Sequence, residues 1–263
     1  MYPFIMPDVF GYVLPVYDLL LITGVFLMLL YVANRFEKTD GFTHKQANRI
    51  LFLIVISLLS ALFISFVVDG VFHSIEEGEL AFGSLNFLSG LIGGFATFFI
   101  LMKYFYKEEN KDMKRIANTV ITGVVLAHAI GRIGCFFAGC CYGIVTNSVL
   151  GVEFLHGHAP EVYPGASVLP TQLFESFFLF VLFVVLNKVK VLKNKEVETY
   201  VIAYGIWRIG IEFLRGDDRG VLLPILKTSY NVFPTPAQLL SVFMIAFGIY
   251  LIAKTKKQKL NTI

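Results

Sequence analysis

The chain has 263 residues, 56% of them hydrophobic and 16% charged, with 27 phenylalanines; a soluble globular protein carries about 25% charged residues, so this balance excludes one. The net charge of +3 forms no basic face, and no nucleic-acid partner is expected. We read an all-α integral membrane protein, forming a single domain over residues 1–263 in contact with the lipid bilayer.

Crossing the hydrocarbon core takes about 20 apolar residues. Seven runs meet that demand, at residues 16–34, 49–68, 84–106, 116–134, 169–187, 199–214 and 235–253. The first has no basic segment before it and no small-residue cleavage site after it, so a retained helix is expected rather than a signal peptide. Lysines and arginines follow every second span: Arg35, Lys38, Lys45 and Arg49, then Lys103 to Arg115, then Lys188 to Lys195, then Lys254 to Lys259. Seventeen of the 22 basic residues lie on these alternate sides. Cytoplasmic loops keep such an excess, so the N-terminus is expected outside and the C-terminus in the cytoplasm.

Arg132, Arg208, Arg215, Arg219 and Lys227 escape the pattern and lie toward the outer side. A charge near the bilayer centre costs about 2.5–3.5 kcal/mol on insertion scales, so it faces a partner or a wet cavity. In "YGIWRIGIEFLR" the spacing puts Arg208, Glu212 and Arg215 on one helix face. Two readings stand side by side: an intrahelical pair that satisfies itself, or an anion site. In "LPTQLFES", Gln172 and Glu175 enter the membrane on one face of the fifth span. Arg132 has no acidic residue within a helical turn. Its anion is expected from elsewhere, and a lipid phosphate matches the guanidinium fork. Gly131, Gly134, Gly139 and Gly143 permit close helix approach around it. His128, four residues earlier, shares its face and is a candidate proton acceptor.

All three cysteines fall in "GRIGCFFAGCCYG". Zinc sites usually show two spaced pairs, whereas Cys140 and Cys141 point to different faces if helical. We therefore expect small buried hydrophobes, no metal and no cofactor.

That stretch resembles the "G-R-x-G-N-F-x-N-x-E-x-x-G" signature of the prolipoprotein diacylglyceryl transferase family. "LPTQLFE" resembles the family's "H-P-S-Q-L-Y-E", "YGIWRIGIEFLR" its "Y-G-x-x-R-x-x-x-E-x-x-R", "FLSGLIGG" its "F-H-G-G-L-I-G", and "VYDLLLITGVFL" its first span. The blocks keep their order along nearly the whole chain. The resemblance implies a multi-pass enzyme of the bacterial cytoplasmic (inner) membrane. Its reaction moves diacylglyceryl from phosphatidylglycerol to the lipobox cysteine of a preprolipoprotein signal peptide, forming a thioether and releasing glycerol 1-phosphate. It implies catalytic roles for Arg132, Arg208 and Glu212, with His128 standing in for a base. Substrate-binding roles are implied for Tyr17, Gln172, Glu175, Arg215 and Gly143. The nucleophile is then the substrate's thiol, and no cysteine of the chain need act.

The chain departs from the family at Cys135 and Ala138, where the signature has asparagine, at Cys140 for its glutamate, at Leu88 and Leu169 for histidines, and at Phe174 for tyrosine. Two other function classes follow from these changes: a lipid-binding paralogue without the chemistry or with altered specificity, and a membrane thiol oxidoreductase using the three cysteines.

Overall fold

The computed structural model describes residues 4–9, 12–77, 87–217 and 235–260. Each of the seven expected spans coincides with a helix: α1 (Val16–Lys38), α2 (His44–Glu77), α3 (Phe87–Phe105), α4 (Met113–Ala138), α6 (Thr171–Lys188), α7 (Glu196–Ile211) and α8 (Pro236–Leu260), with a short α5 (His158–Val162) between α4 and α6. Five of them, α1, α2, α4, α6 and α8, are long and apolar enough to cross a membrane; the apolar part of α3, Ile92–Phe105, is shorter. The 16 residues of α7 rise about 24 Å against a core of about 30 Å. The chain is a multi-pass, mainly helical membrane protein. Among the described residues there are also two small antiparallel strand pairs that the apolar pattern does not announce, β1 (Phe4–Val9) with β2 (Tyr12–Pro15), and β3 (Val152–Glu153) with β4 (Ser167–Val168). The predicted Arg219 and Lys227 lie outside the described residues.

The helices divide into two units, one of residues 1–28 and 117–263, the other of residues 29–116. In the second unit α2 and α3 pack through small residues. A Cβ on Gly93 would lie 2.9 Å from Ile64 Cβ, and one on Gly94 2.9 Å from Ala61 Cβ; removing side chains here lets the backbones approach, which is how apolar helices gain contact in lipid. Ser60 and Thr97 share a hydrogen bond of 2.7 Å across the same seam. A capping box starts α2, with Gln46 N–H bonded to Thr43 Oγ1 and Thr43 N–H to Gln46 Oε1. One turn into α2, Arg49 holds Glu109, which is 1% exposed, at 3.3 Å.

In the first unit Val125, Ala129, Leu179, Leu182, Leu186 and Tyr200 form the apolar core of α4, α6 and α7. Polar stitches set the depth of each helix: Ser176 donates to Ala129 O at 2.8 Å, and Val197 N–H to Asn118 Oδ1 at 3.0 Å. Gly205 admits Ile245 and the Ser241 carbonyl, drawing α8 against α7. α8 starts with a second capping box, Thr235 with Gln238, and Pro236 in the first helical turn.

Replacing Gly93 with alanine should overpack the α2 and α3 seam and destabilise the protein by about 1–3 kcal/mol. A lowered melting temperature of the detergent-solubilised protein checks this.

Candidate active site

Three helices of the first unit converge on one carboxylate. Glu175, on the first turns of α6, is 3% exposed and lies 3.0 Å from Arg132 Nη2 of α4. Tyr204 of α7 donates its hydroxyl to the same oxygen at 2.7 Å, and His128 Nε2 stands 3.7 Å from it. The His128 ring meets Tyr204 edge to face at 5.3 Å, and Tyr204 stacks on Tyr200 at 5.5 Å. Arg132, with no acidic residue within a helical turn, thus finds a carboxylate on a different helix. A single carboxylate does not exhaust the guanidinium, and Arg132 Nε has no hydrogen-bond partner among the described residues.

A second cluster sits one helical turn further along α7. Arg208 Nη2 pairs with Glu212 Oε2 at 3.0 Å, and Glu212 is fully buried. Thr235, the cap of α8, donates to the other Glu212 oxygen at 2.8 Å. Arg208 Nη1 is buried without a partner among the described residues. Arg208 is near enough to act by charge on both Glu175 and His128. The two arginines thus adjoin in two clusters, each with its own carboxylate, and do not share one pair. Trp207, the residue before Arg208, stacks on Phe178 at 4.4 Å with 6° between the rings.

Arg215 departs from the expected common face. The α-helix ends at Ile211, a 3₁₀ turn follows over Glu212–Leu214, and Arg215 is extended. Its Nε and Nη2 hold Asp217 instead of Glu212, Nε at 2.9 Å. The tighter turn carries Arg215 off the stripe that a 3.6-residue period predicts. Gly143 pairs with Arg215 as an isolated bridge, and its Cβ would lie 2.7 Å from both Leu169 Cβ and Leu214 O. It is a site of close backbone packing.

Gln172 is 1% exposed and donates to Cys140 O at 2.5 Å, while Thr171 donates to Cys141 O at 2.7 Å. These two side chains clasp the turn after α4. That turn is not helical: Gly139 has φ +65° and Cys141 φ +59°. The picture of Cys140 and Cys141 diverging on a helix is corrected, because the left-handed turn folds them back on Cys135. The three sulfurs lie within 4.8 Å of one another, all as free thiols. Tyr17 packs its ring on Gly134, where a Cβ would be 3.2 Å from Tyr17 Cδ2, and lies in charge range of all three thiols.

Sequence reasoning missed Tyr204, Thr235, Thr171 and Asp217. Tyr204 had a signal, since it stands four residues before Arg208 on the same face of α7. Thr235 had another in the capping pattern "TPAQ".

Two buried arginines, Arg132 paired to a carboxylate on another helix and Arg208 to one four residues along its own, each with a guanidinium nitrogen left over, mark a multi-pass membrane protein with charged side chains gathered among its helices. Residues 6–254 match the family described as prolipoprotein diacylglyceryl transferase, and the chain belongs to that family. It is 30% identical over 249 residues to the phosphatidylglycerol–prolipoprotein diacylglyceryl transferase of Clostridium tetani, covering 92% of this chain and 94% of that protein. It is 29% identical over 271 residues to the transferase 2 of Clostridium perfringens, covering 97% of each, and 28% identical over 261 residues to the enzyme of Ehrlichia canis, covering 92% of each.

Breaking the Glu175 hub should be costly. Glu175→Ala leaves Arg132 buried without its counter-charge and should lose about 3–5 kcal/mol, whereas the double change Arg132→Met with Glu175→Leu should recover most of that stability. Thermal unfolding of the two variants in detergent separates these outcomes.

Proposed function

We propose that this protein is a phosphatidylglycerol–prolipoprotein diacylglyceryl transferase, an enzyme of lipoprotein maturation acting as one domain in the bacterial cytoplasmic membrane. The family membership and the names of its relatives support the reaction. The observation that carries the site is the pair of unsatisfied buried donors, Arg132 Nε and Arg208 Nη1. A buried N–H without a partner costs about 1–3 kcal/mol, so an anion that fills both is favoured. The phosphate of phosphatidylglycerol is such an anion.

In this reading the lipobox thiol attacks the glycerol carbon esterified to phosphate. The carbon to oxygen bond breaks, a thioether forms, and glycerol 1-phosphate leaves with the electron pair. Charge grows on the phosphate oxygens as the bond lengthens, and fixed donors in a water-poor site stabilise it without reorganising. Arg132 and Arg208 are the donors. Glu175, Glu212, Tyr204 and Thr235 hold their guanidinium planes. His128 is placed to accept a proton, and Tyr17, Gln172, Arg215 and Gly143 shape the substrate path. The seven helices are read as seven crossings, with the N-terminus outside and the tail after α8 in the cytoplasm, as the lysine and arginine alternation supports.

Phosphatidylglycerol and a lipobox peptide, incubated with the reconstituted protein, should yield a peptide heavier by one diacylglyceryl group in the mass spectrum; no such product overturns the reading. Arg208→Lys keeps the charge but loses the planar fork, and its rate should fall about 10²–10³-fold. A lysine variant near the wild-type rate would leave Arg208 as a structural partner of Glu212 alone. A Lys257→Cys variant should react with an impermeant maleimide only after the cells are opened.

A further inference from the structure

The three-thiol cluster has no part in the reaction as written above. Cys135 closes the last turn of α4, three residues after Arg132 and so on the same helix face. The left-handed conformations of Gly139 and Cys141 turn the chain back, and Gln172 and Thr171 clamp the Cys140 and Cys141 carbonyls against α6. A non-glycine residue in that conformation is held only where its surroundings over-determine it. The result is three sulfurs within 4.8 Å of one another, brought together without a disulfide.

Three sulfurs around a tetrahedral ion with metal to sulfur bonds of about 2.3 Å are about 3.8 Å apart, a small rotamer adjustment from this arrangement. Among the described residues no fourth histidine, cysteine or carboxylate joins them. Three protein ligands with the fourth position left to an outside group is the pattern of zinc sites that do chemistry, as opposed to the closed four-ligand structural kind. A divalent ion on three thiolates carries a net charge of about −1, and both Arg132 and Arg215 lie in charge range of Cys141 to offset it.

We propose that Cys135, Cys140 and Cys141 bind one thiophilic divalent ion of the zinc class, and that its fourth ligand is the thiol of the acceptor peptide. The second half of this inference rests on the transferase reading. The acceptor cysteine binds the ion as thiolate, its proton passing to solvent. Its sulfur attacks the glycerol carbon, the carbon to oxygen bond breaks, and the electron pair leaves with the phosphate held by Arg132 and Arg208. The product thioether is neutral and a weaker ligand, so it departs and the ion remains with its three thiolates. No oxidant or reductant enters. The ion takes over a task for which this chain, with Leu169 at one family histidine position and Leu88 at another, has few side chains.

The test uses the reduced, full-length protein in lipid nanodiscs and cobalt(II) as the spectroscopic substitute for zinc. Wild type should bind about one cobalt per chain with thiolate-to-cobalt absorption in the near ultraviolet. Cys135→Ser, Cys140→Ser and Cys141→Ser should each weaken binding by more than about 100-fold, beyond what the loss of a supporting outer-shell group costs. A lipobox peptide should shift the visible bands of the cobalt protein, and the same peptide with serine for cysteine should not. Wild type that binds neither cobalt nor zinc overturns the site, whether or not the serine variants fold, and so does a folded serine variant with the full wild-type band. Chelation should slow transfer by at least about 10²-fold, the contribution of a dedicated proton acceptor, and zinc should restore it. Metal-free protein that transfers at the full rate overturns the acceptor role and leaves the transferase reading standing. Metal-loaded protein that modifies no lipobox peptide upholds the ion site and overturns the transferase reading instead.

Discussion

A carboxylate taken out of water must be surrounded by donors, and in this protein Glu175 is where that demand is met. The α4 arginine, the α6 carboxylate and the α7 tyrosine each lie in an apolar helix, and each would be expensive alone. Together they fix how far the three helices slide past one another, because a shift of one turn would part Arg132 from Glu175 and leave two buried charges uncompensated. The Arg208 and Glu212 pair extends the constraint to α8, since the hydroxyl that caps α8 also donates to Glu212. The apolar core below, around Leu179 and Tyr200, fills space, and the polar hub sets the register.

Helix positions were legible in the sequence because length and apolar content answer directly to bilayer thickness. Arg132 and Arg208 were legible as well, since they are exceptions to a regular distribution of positive charge. Their partners across helices were not. Local spacing reveals only pairs three or four residues apart, so it found Glu212 for Arg208 and nothing for Arg132, whose carboxylate arrives on another helix. Arg215 was misread for a related reason: a 3.6-residue period was carried past Ile211, where the backbone tightens. The gathering of the cysteines depends on a positive φ at Cys141, a conformation that no residue preference at a cysteine signals.

Several of the departures from the family pattern fall in or beside that same turn, whereas Leu88 lies on α3. Cys135 and Cys140 replace amide and carboxylate side chains, and Leu169 replaces a histidine at a position where its Cβ lies against the backbone of Gly143. The arginines, Glu175, Gln172 and Glu212 are kept. The arginine clusters thus retain their polarity, while the turn beside them carries sulfur where the family pattern has amide and carboxylate groups. Such an exchange removes one carboxylate charge, at Cys140, and changes which ions and oxidants the turn responds to.

The chain has one tryptophan, and it is Trp207, stacked on Phe178 at 4.4 Å with its indole N–H buried and unpartnered among the described residues. It occupies the position next to Arg208. Fluorescence excited at the red edge of the indole band, where the tyrosines do not absorb, therefore comes from a single emitter beside Arg208. A dry ring emits toward the blue, and water or a charged headgroup arriving at Arg208 changes the field it sees. Ligand entry can then be followed optically in the purified, reconstituted protein, with no label attached.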